Sequence, residues 1–345
     1  MKKKLIGLCL FCAGAGMATN ARAQSSVTLY GIVDAAVEYT NVGSGNAIKM
    51  DSGAINGSRF GLKGTEDLGG GLSAIFVLEN GFAVNNGTLG NGGLLFGRQA
   101  WVGFHSDSLG QLSFGRHYTV LHTLLANYTN GLAWGNATSY FRDGNVLRAN
   151  NSIRYVSPTI SGFTLGALYA MSPAGGTATG AVPTGNIRNI SLNYSIGKFS
   201  AGATYMASQT KPSDTDKYTV FGAAYDFGIA RISGVYYIRR DQLPVATSQS
   251  MNFFEVVSLI PIGPSSVMLS YGAEQGKARP DSNAQAWSIR YTYSLSKATF
   301  LYTGFTQIFN QKNAQFAINT ASASGTIAGP GSNPRMLLIG ISHAF

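Results

Sequence analysis

Cysteine is nearly absent. The chain of 345 residues has two, Cys9 and Cys12, and both lie in its first two dozen positions. A disulfide scaffold is therefore excluded. Charge is scarce as well: Asp, Glu, Lys and Arg together make up 12% of the residues, about half the share usual in soluble domains. Beyond the first twenty-odd residues there is no long apolar run, whereas a membrane helix needs about 18 or more such residues in succession. No lysine-rich stretch follows Lys2, Lys3 and Lys4. The usual footprint of a nucleic-acid-binding chain is missing, and nucleic acid is not expected among the partners. Glycine is abundant but has no fixed period, which excludes a collagen-like or low-complexity chain. Against these gaps stand 44 Gly, 17 Tyr, 19 Phe and a hydrophobic share of 45%. That is ample apolar surface, and it excludes a disordered chain.

The N-terminus has the pattern of an export signal. Lys2, Lys3 and Lys4 precede an apolar core from Leu5 to Ala18, and Ala21-Arg22-Ala23 offers small residues at both positions that a signal peptidase reads. Cleavage is expected after Ala23, making 1–23 a signal peptide and 24–345 the mature chain, with Gln24 first. Leu10 and Phe11 before Cys12 are not the small residues that a lipoprotein site favours. Removal takes both cysteines and four cations, lowering the formal net charge from +10 to +6. A thiol-free exported chain cannot be trapped by wrong disulfides in an oxidising compartment.

The dominant period in the mature chain is two. Along Val27 to Tyr39, Leu29, Gly31, Val33, Ala35 and Val37 share one face, and Asp34 and Glu38 share the other. Phe60 and Leu62 alternate with Arg59 and Lys63. These are strands with one apolar face. Seven short turns recur, at 68–71, 108–110, 161–162, 197–198, 227–228, 262–263 and 296–297. They alternate with eight longer polar stretches, at 41–57, 85–95, 121–148, 172–186, 208–216, 240–250, 276–284 and 310–333. Fifteen connections imply sixteen strands, and about twenty residues per strand and connection suit membrane-spanning strands. The expected fold is all-β: a sixteen-stranded antiparallel transmembrane barrel, closed because an open edge in lipid would leave backbone groups unpaired. Tyr194, Phe199, Phe114 and Phe163 flank short turns, as an interfacial aromatic girdle would. The chain ends mid-pattern, with Leu337, Ile339, Ile341, His343 and Phe345 on one face. A barrel needs such a last strand to pair with its first.

At this point the chain resembles the trimeric general-diffusion porins of Gram-negative bacteria, of the neisserial and burkholderial type. The segments that carry the resemblance run from Ser26 to Asp34, from Ser58 to Leu72 and from Phe96 to Gly103. Phe114-Gly115-Arg116, Ala149 to Tyr155 and the terminal His343-Ala344-Phe345 extend it. It implies three subunits in the outer membrane, among lipids and lipopolysaccharide. It also implies a third long loop, here about 121–148, folded into the lumen as a constriction, and a terminal aromatic, Phe345, read by the barrel-assembly machinery. The loop is the longest connection and shows no structure of its own in the sequence; such loops are usually functional.

Function in such a barrel would be electrostatics in a wet lumen, with small hydrophilic solutes and ions passing passively. Arg or Lys on the lipid face near the midplane costs about 2–4 kcal/mol, so alternation sends these side chains inward. Arg59 and Lys63 face the lumen opposite Phe60 and Leu62. Arg98 is expected opposite Trp101, and Arg148 and Arg154 opposite Ile153 and Tyr155. The resemblance places Arg59, Arg98, Arg148 and Arg116 at basic pore-wall positions. Parity alone would put Arg116 on the face of Leu112 and Phe114, so a bulge is needed near Gly115. The expected counter-charges are Asp34, Glu38 and, in the constriction loop, Asp143 alone. This balance favours a mild anion preference. The alternative is a surface adhesin on the same barrel. None of His105, His117, His122 and His343 sits in a nucleophile motif or at metal-ligand spacing on a helix, so neither an enzyme nor a cofactor is expected.

Overall fold

The computed structural model describes residues 26–43, 45–142, 147–171, 186–211, 214–322, 325–326 and 329–345. The expected signal peptide and Asp143 lie outside the described residues. The strands are β1 (Ser26–Asn41), β2 (Asn46–Ser52), β3 (Arg59–Gly69), β4 (Leu72–Gly81), β5 (Gln99–Ser106) and β6 (Gly110–Tyr118). After two helices, α1 (Val120–Tyr128) and α2 (Ala137–Phe141), come β7 (Arg148–Val156), β8 (Phe163–Ala170), β9 (Ile187–Ile196), β10 (Phe199–Lys211) and β11 (Asp214–Asp226). The series ends with β12 (Arg231–Arg240), β13 (Met251–Ile262), β14 (Ser265–Gly276), β15 (Ala284–Ser294), β16 (Thr299–Asn310) and β17 (Arg335–Ala344). Consecutive strands pair antiparallel, except that β2 and β3 both pair with β1 and not with each other. β1 closes the ring against β17, with Ile32 opposite Ala344 and Asn41 opposite Arg335.

The barrel has sixteen staves, because β2 and β3 together make one. β1 pairs with β2 from Ala35 to Asn41 and with β3 from Ser26 to Ile32. Residues 46–52 of the stretch 41–57, expected as a loop, are therefore strand. The 53–58 segment that interrupts this stave turns inward. Gly53 takes φ +71°, and the Asp34 carboxylate accepts from Ala54 N at 3.0 Å and Asn56 N at 3.3 Å. The stretch 208–216 is likewise mostly strand, with Ser208 opposite Asp216 and Gln209 opposite Thr215. Polarity misled there, because a hairpin can continue beyond the apolar band with both faces in water. All seven short turns stand where the sequence places them.

The two faces separate as the alternation predicts. Leu29, Val37, Phe60 and Leu62 are exposed outside, while Asp34, Glu38 and Ser113 are buried inside. On the outer face Phe163 and Tyr194 meet at 4.5 Å. Phe345 exchanges backbone hydrogen bonds with Gly31, at 2.9 and 3.1 Å. Its ring lies over that glycine, where a Cβ would stand 2.2 Å from Cζ. Gly31 is thus covered by the chain's own C-terminus and is not free to meet a neighbouring subunit.

The 121–148 connection is not structureless. Thr119 caps α1 by accepting from His122 N at 3.0 Å. Leu121, Leu124, Leu125 and Tyr128 recur at helical spacing and are all buried. α1 packs on the inner wall of β8 to β12, and α2 on that of β13 to β15. Glycines make the close approach possible. A Cβ on Gly222 would stand 2.3 Å from Tyr128, one on Gly272 2.5 Å from Ala137, and one on Gly304 2.9 Å from Trp134. The connection therefore lies along a glycine track inside the barrel. The buried apolar cluster includes this interface.

Candidate functional site

Opposite the inserted loop, the inner wall from β3 to β7 carries a basic cluster. Arg98 donates Nε to Glu79 Oε1 at 2.8 Å and Nη2 to the Tyr118 hydroxyl at 2.8 Å. Arg148 donates to the same hydroxyl at 2.9 Å and to Asn91 Oδ1 at 3.1 Å. Its guanidinium carbon sits 4.6 Å from the centre of the Tyr118 ring, a cation–π contact. Glu79 also accepts from the Tyr30 hydroxyl at 3.0 Å. Arg59 lies within electrostatic reach of Arg98, Glu79 and Tyr118. Two arginines are thus held apart by one phenol, and a third faces the same space.

Arg116 joins the cluster through a bulge. Gly115 takes φ +139°, and the β6–β7 register shifts between Gly115 and His117. The shift turns Arg116 to donate Nε to Gly97 O at 2.8 Å and Nη1 to Asn150 Oδ1. It lies within electrostatic reach of Arg148. Lys63 is on the same inner face, with Nζ 5.5 Å from the Tyr30 ring centre, and its side chain is exposed to the lumen. Arg154 faces inward opposite Ser113, nearer the short-turn end and apart from the cluster.

Arg98 reaches the lumen by a different route from the one alternation suggested. Trp101 is not on the outer face: Val102 and Phe104 are, and Trp101 stacks on buried His117 at 5.7 Å. Arg98 precedes β5, where the chain arrives from a turn closed by Gly97 N and Leu94 O at 3.2 Å. It is therefore not bound by the strand's parity.

The acidic residues divide differently from expectation. Asp34 is occupied by the inward 53–58 segment and by the Tyr302 hydroxyl at 2.6 Å. Glu38 pairs with Lys49 at 2.9 Å. Neither contacts the basic cluster in these hydrogen bonds. Its counter-charge is Glu79, which the sequence reading missed. The available signal was parity: Glu79 falls opposite Gly61, between the inward positions Arg59 and Lys63. Tyr118 and Asn91 were missed too, because a phenol and an amide carry no charge pattern.

The loop side contributes His122. Its ring stacks on Tyr118 at 4.5 Å with an interplanar angle of 11°. Burial first, then Arg142, Arg148 and Arg98, hold its imidazole well below the usual histidine range. The folded state therefore binds fewer protons here than the unfolded chain. The seat of α1 should be fully stable above about pH 6.5 and lose stability as pH falls below it. Bilayer recordings at pH 7 and 4.5 should show more closing events in acid. His122→Phe keeps the stack but cannot take a proton, so the rise should shrink; an identical acid response would exclude His122 as its source.

Comparison with known proteins agrees with this architecture. The pattern that defines the Gram-negative porin family matches residues 9–313. The chain is 32% identical to outer membrane porin protein 32 of Delftia acidovorans, over 100% of both chains. It is 31% identical to an outer membrane porin of Bordetella pertussis, covering 88% of this chain and 93% of that one. Among solved structures, the anion-selective porin from Comamonas acidovorans superposes with a TM-score of 0.80 at 28% identity, covering 93% of this chain and 100% of the other.

Proposed function

The chain belongs to the Gram-negative porin family, and from that membership we propose that its basic inner wall makes it an anion-preferring pore. It is an outer-membrane channel for the passive diffusion of small hydrophilic solutes. One observation carries the preference: Arg59, Arg98, Arg116, Arg148 and Lys63 face one lumen with Glu79 as the carboxylate among them. Low-dielectric walls focus such a field where the lumen narrows and raise the local anion concentration. The anion selectivity of the Comamonas acidovorans porin supports the same reading. Asp143 of the inserted loop would offset part of the field. Liposome swelling tests the channel, and the reversal potential in a KCl gradient tests the preference. A wild-type protein that is cation-selective would overturn the proposal.

The particle is proposed to be a homotrimer in contact with lipids and lipopolysaccharide. A closed barrel offers no edge, so subunits must meet through apolar outer faces. Maturation is proposed to remove residues 1–23, and the intact mass of protein from outer membranes should correspond to a chain starting at Gln24. Phe345 is proposed as the signal read by the assembly machinery. Its deletion should lower surface levels more than it destabilises barrels already formed, measured by surface labelling and by thermal melting.

A further inference from the structure

Asn91 joins the basic cluster through its amide, and the residue after it is glycine. An asparagine followed by glycine can lose its amide without an enzyme. The next backbone nitrogen reaches the side-chain carbonyl, and no Cβ stands in the way. The chain has five such pairs, at 56–57, 80–81, 86–87, 91–92 and 130–131.

The fold protects four of them. Asn80 is fully buried in β4. Gly87 N donates to Ala83 O at 2.8 Å and Gly131 N to Ala126 O at 3.1 Å, so both nitrogens are engaged. Asn56 is held at two points, donating N to Asp34 Oδ2 at 3.3 Å and Nδ2 to Ser342 Oγ at 3.3 Å. Gly57 beside it is buried, and a Cβ there would stand 2.7 Å from Arg98 Nη1.

The Asn91–Gly92 pair has none of these protections. Gly92 is exposed, and its N–H donates to no acceptor among the described residues. A Cβ on it would meet nothing within 4 Å, so the peptide has room to swing toward the side chain. Asn91, Gly92 and Gly93 follow one another at φ +53°, +76° and +80°, outside the strand ladder. Arg148 donates Nη1 to Asn91 Oδ1 at 3.1 Å. That bond polarises the carbonyl and is aimed at the oxygen on which charge develops during attack.

We propose that Asn91 is a deamidation site whose product puts a carboxylate into the basic cluster. Gly92 N gives its proton to solvent base and its electron pair to Asn91 Cγ. The new C–N bond closes a five-membered succinimide, the bond from Cγ to Nδ2 breaks, and ammonia leaves with a proton from water. A second water opens the ring at either carbonyl. One opening gives aspartate at position 91, and the other gives isoaspartate, with the backbone running through the β-carbon. Either product adds a carboxylate beside Arg148, which turns a hydrogen bond to a neutral amide into an ion pair. The cluster loses one unit of positive charge. For a monovalent ion about 8 Å away, this is about a twofold fall in local anion occupancy at low salt. The chemistry is independent of the pore's anion preference; only the change in selectivity rests on that reading.

The test holds purified full-length protein in detergent in warm, mildly alkaline buffer. Samples taken over time are digested and mapped by mass spectrometry. Conversion at Asn91 is expected to be at least tenfold faster than at Asn56, Asn80, Asn86 or Asn130. In denaturant the five rates should converge, because the fold alone separates them. Bilayer recordings of the same samples should drift toward the cation side, and fresh Asn91→Asp should start there. Asn91→Gln closes the larger ring far more slowly and should not drift, with heat-modifiable gel migration checking that each variant is folded. The peptide map uses wild-type protein alone, so it decides the site even if no variant folds. Conversion at Asn91 no faster than at the other four would overturn the site. Conversion without drift, or equal drift in folded Asn91→Gln, would overturn its effect on the cluster. A fresh wild type that is cation-selective would count against the pore reading, while the map would still decide the site.

Discussion

Replacing Arg59 and Arg98 together by alanine should shift the reversal potential in a dilute KCl gradient clearly toward the cation side. Two positive charges leave the inner wall, and Glu79 loses the guanidinium that holds its Oε1 at 2.8 Å. For a monovalent ion about 8 Å away, each lost charge is worth about 0.5 kcal/mol in bulk water dielectric. The pair therefore amounts to about 1 kcal/mol, roughly a fivefold drop in local anion occupancy at low salt. Screening over about 8 Å at physiological ionic strength should shrink the shift as salt rises. Conductance should change modestly, because side chains leave and the inserted loop stays seated. An unchanged reversal potential in a folded double variant would show that these arginines do not set selectivity.

The barrel was legible because its physics is local. A period of two and a turn at each short end are written residue by residue, and Phe60-Gly61-Leu62-Lys63 shows which face is which. Parity failed only where the strand itself is irregular or has not begun. Arg116 sits at a bulge, and Arg98 lies one residue before β5. The charge partners were harder to read. Asp34 and Glu38 point inward as expected, yet Asp34 serves the 53–58 segment and Glu38 serves Lys49. Alternation fixes direction, whereas pairing depends on height and on neighbours many strands away in sequence.

The inserted loop was legible in position but not in structure. Leu121, Leu124, Leu125 and Tyr128 do repeat at helical spacing, but the run is short and follows directly on a strand. Its seat is hidden for another reason. Gly222, Gly272 and Gly304 read in sequence as turn or strand-weakening residues. Only the fold shows that they align under the loop, where a Cβ on each would clash with Tyr128, Ala137 or Trp134. The abundance of glycine, which excluded nothing useful at the outset beyond a collagen-like repeat, is partly explained by this track.

Glu255→Ala should unseat that loop without opening the barrel. Glu255 lies on β13, 1% exposed, and its carboxylate accepts from Ala137 N at 2.9 Å and Thr138 N at 2.9 Å. Asn136 Nδ2 at 3.3 Å and Ser270 Oγ at 2.6 Å complete its set. The start of α2 is thus tied to the wall through one side chain. Among the described residues its other ties are single bonds, including Trp134 N to Ala54 O at 3.1 Å, Arg290 Nη1 to Trp134 O at 3.1 Å, Asn319 Nδ2 to Ser139 O at 2.8 Å and the Tyr140 and Thr306 hydroxyls at 3.3 Å. Alanine removes the acceptor and leaves buried amides unsatisfied, at roughly 1–3 kcal/mol for a single such group. At 1.4 kcal/mol per decade, the unseated population should rise about tenfold to a hundredfold. Glu255→Gln keeps the shape and one acceptor oxygen and should fall between the two. β13 remains hydrogen-bonded to β12 and β14 along its length, so heat-modifiable migration should survive. Single-channel recordings should show large, frequent current steps in the alanine variant, fewer in the glutamine variant and least in the wild type. A folded Glu255→Ala channel as quiet as the wild type would mean that the glycine track and the apolar face of α1 hold the loop without this carboxylate.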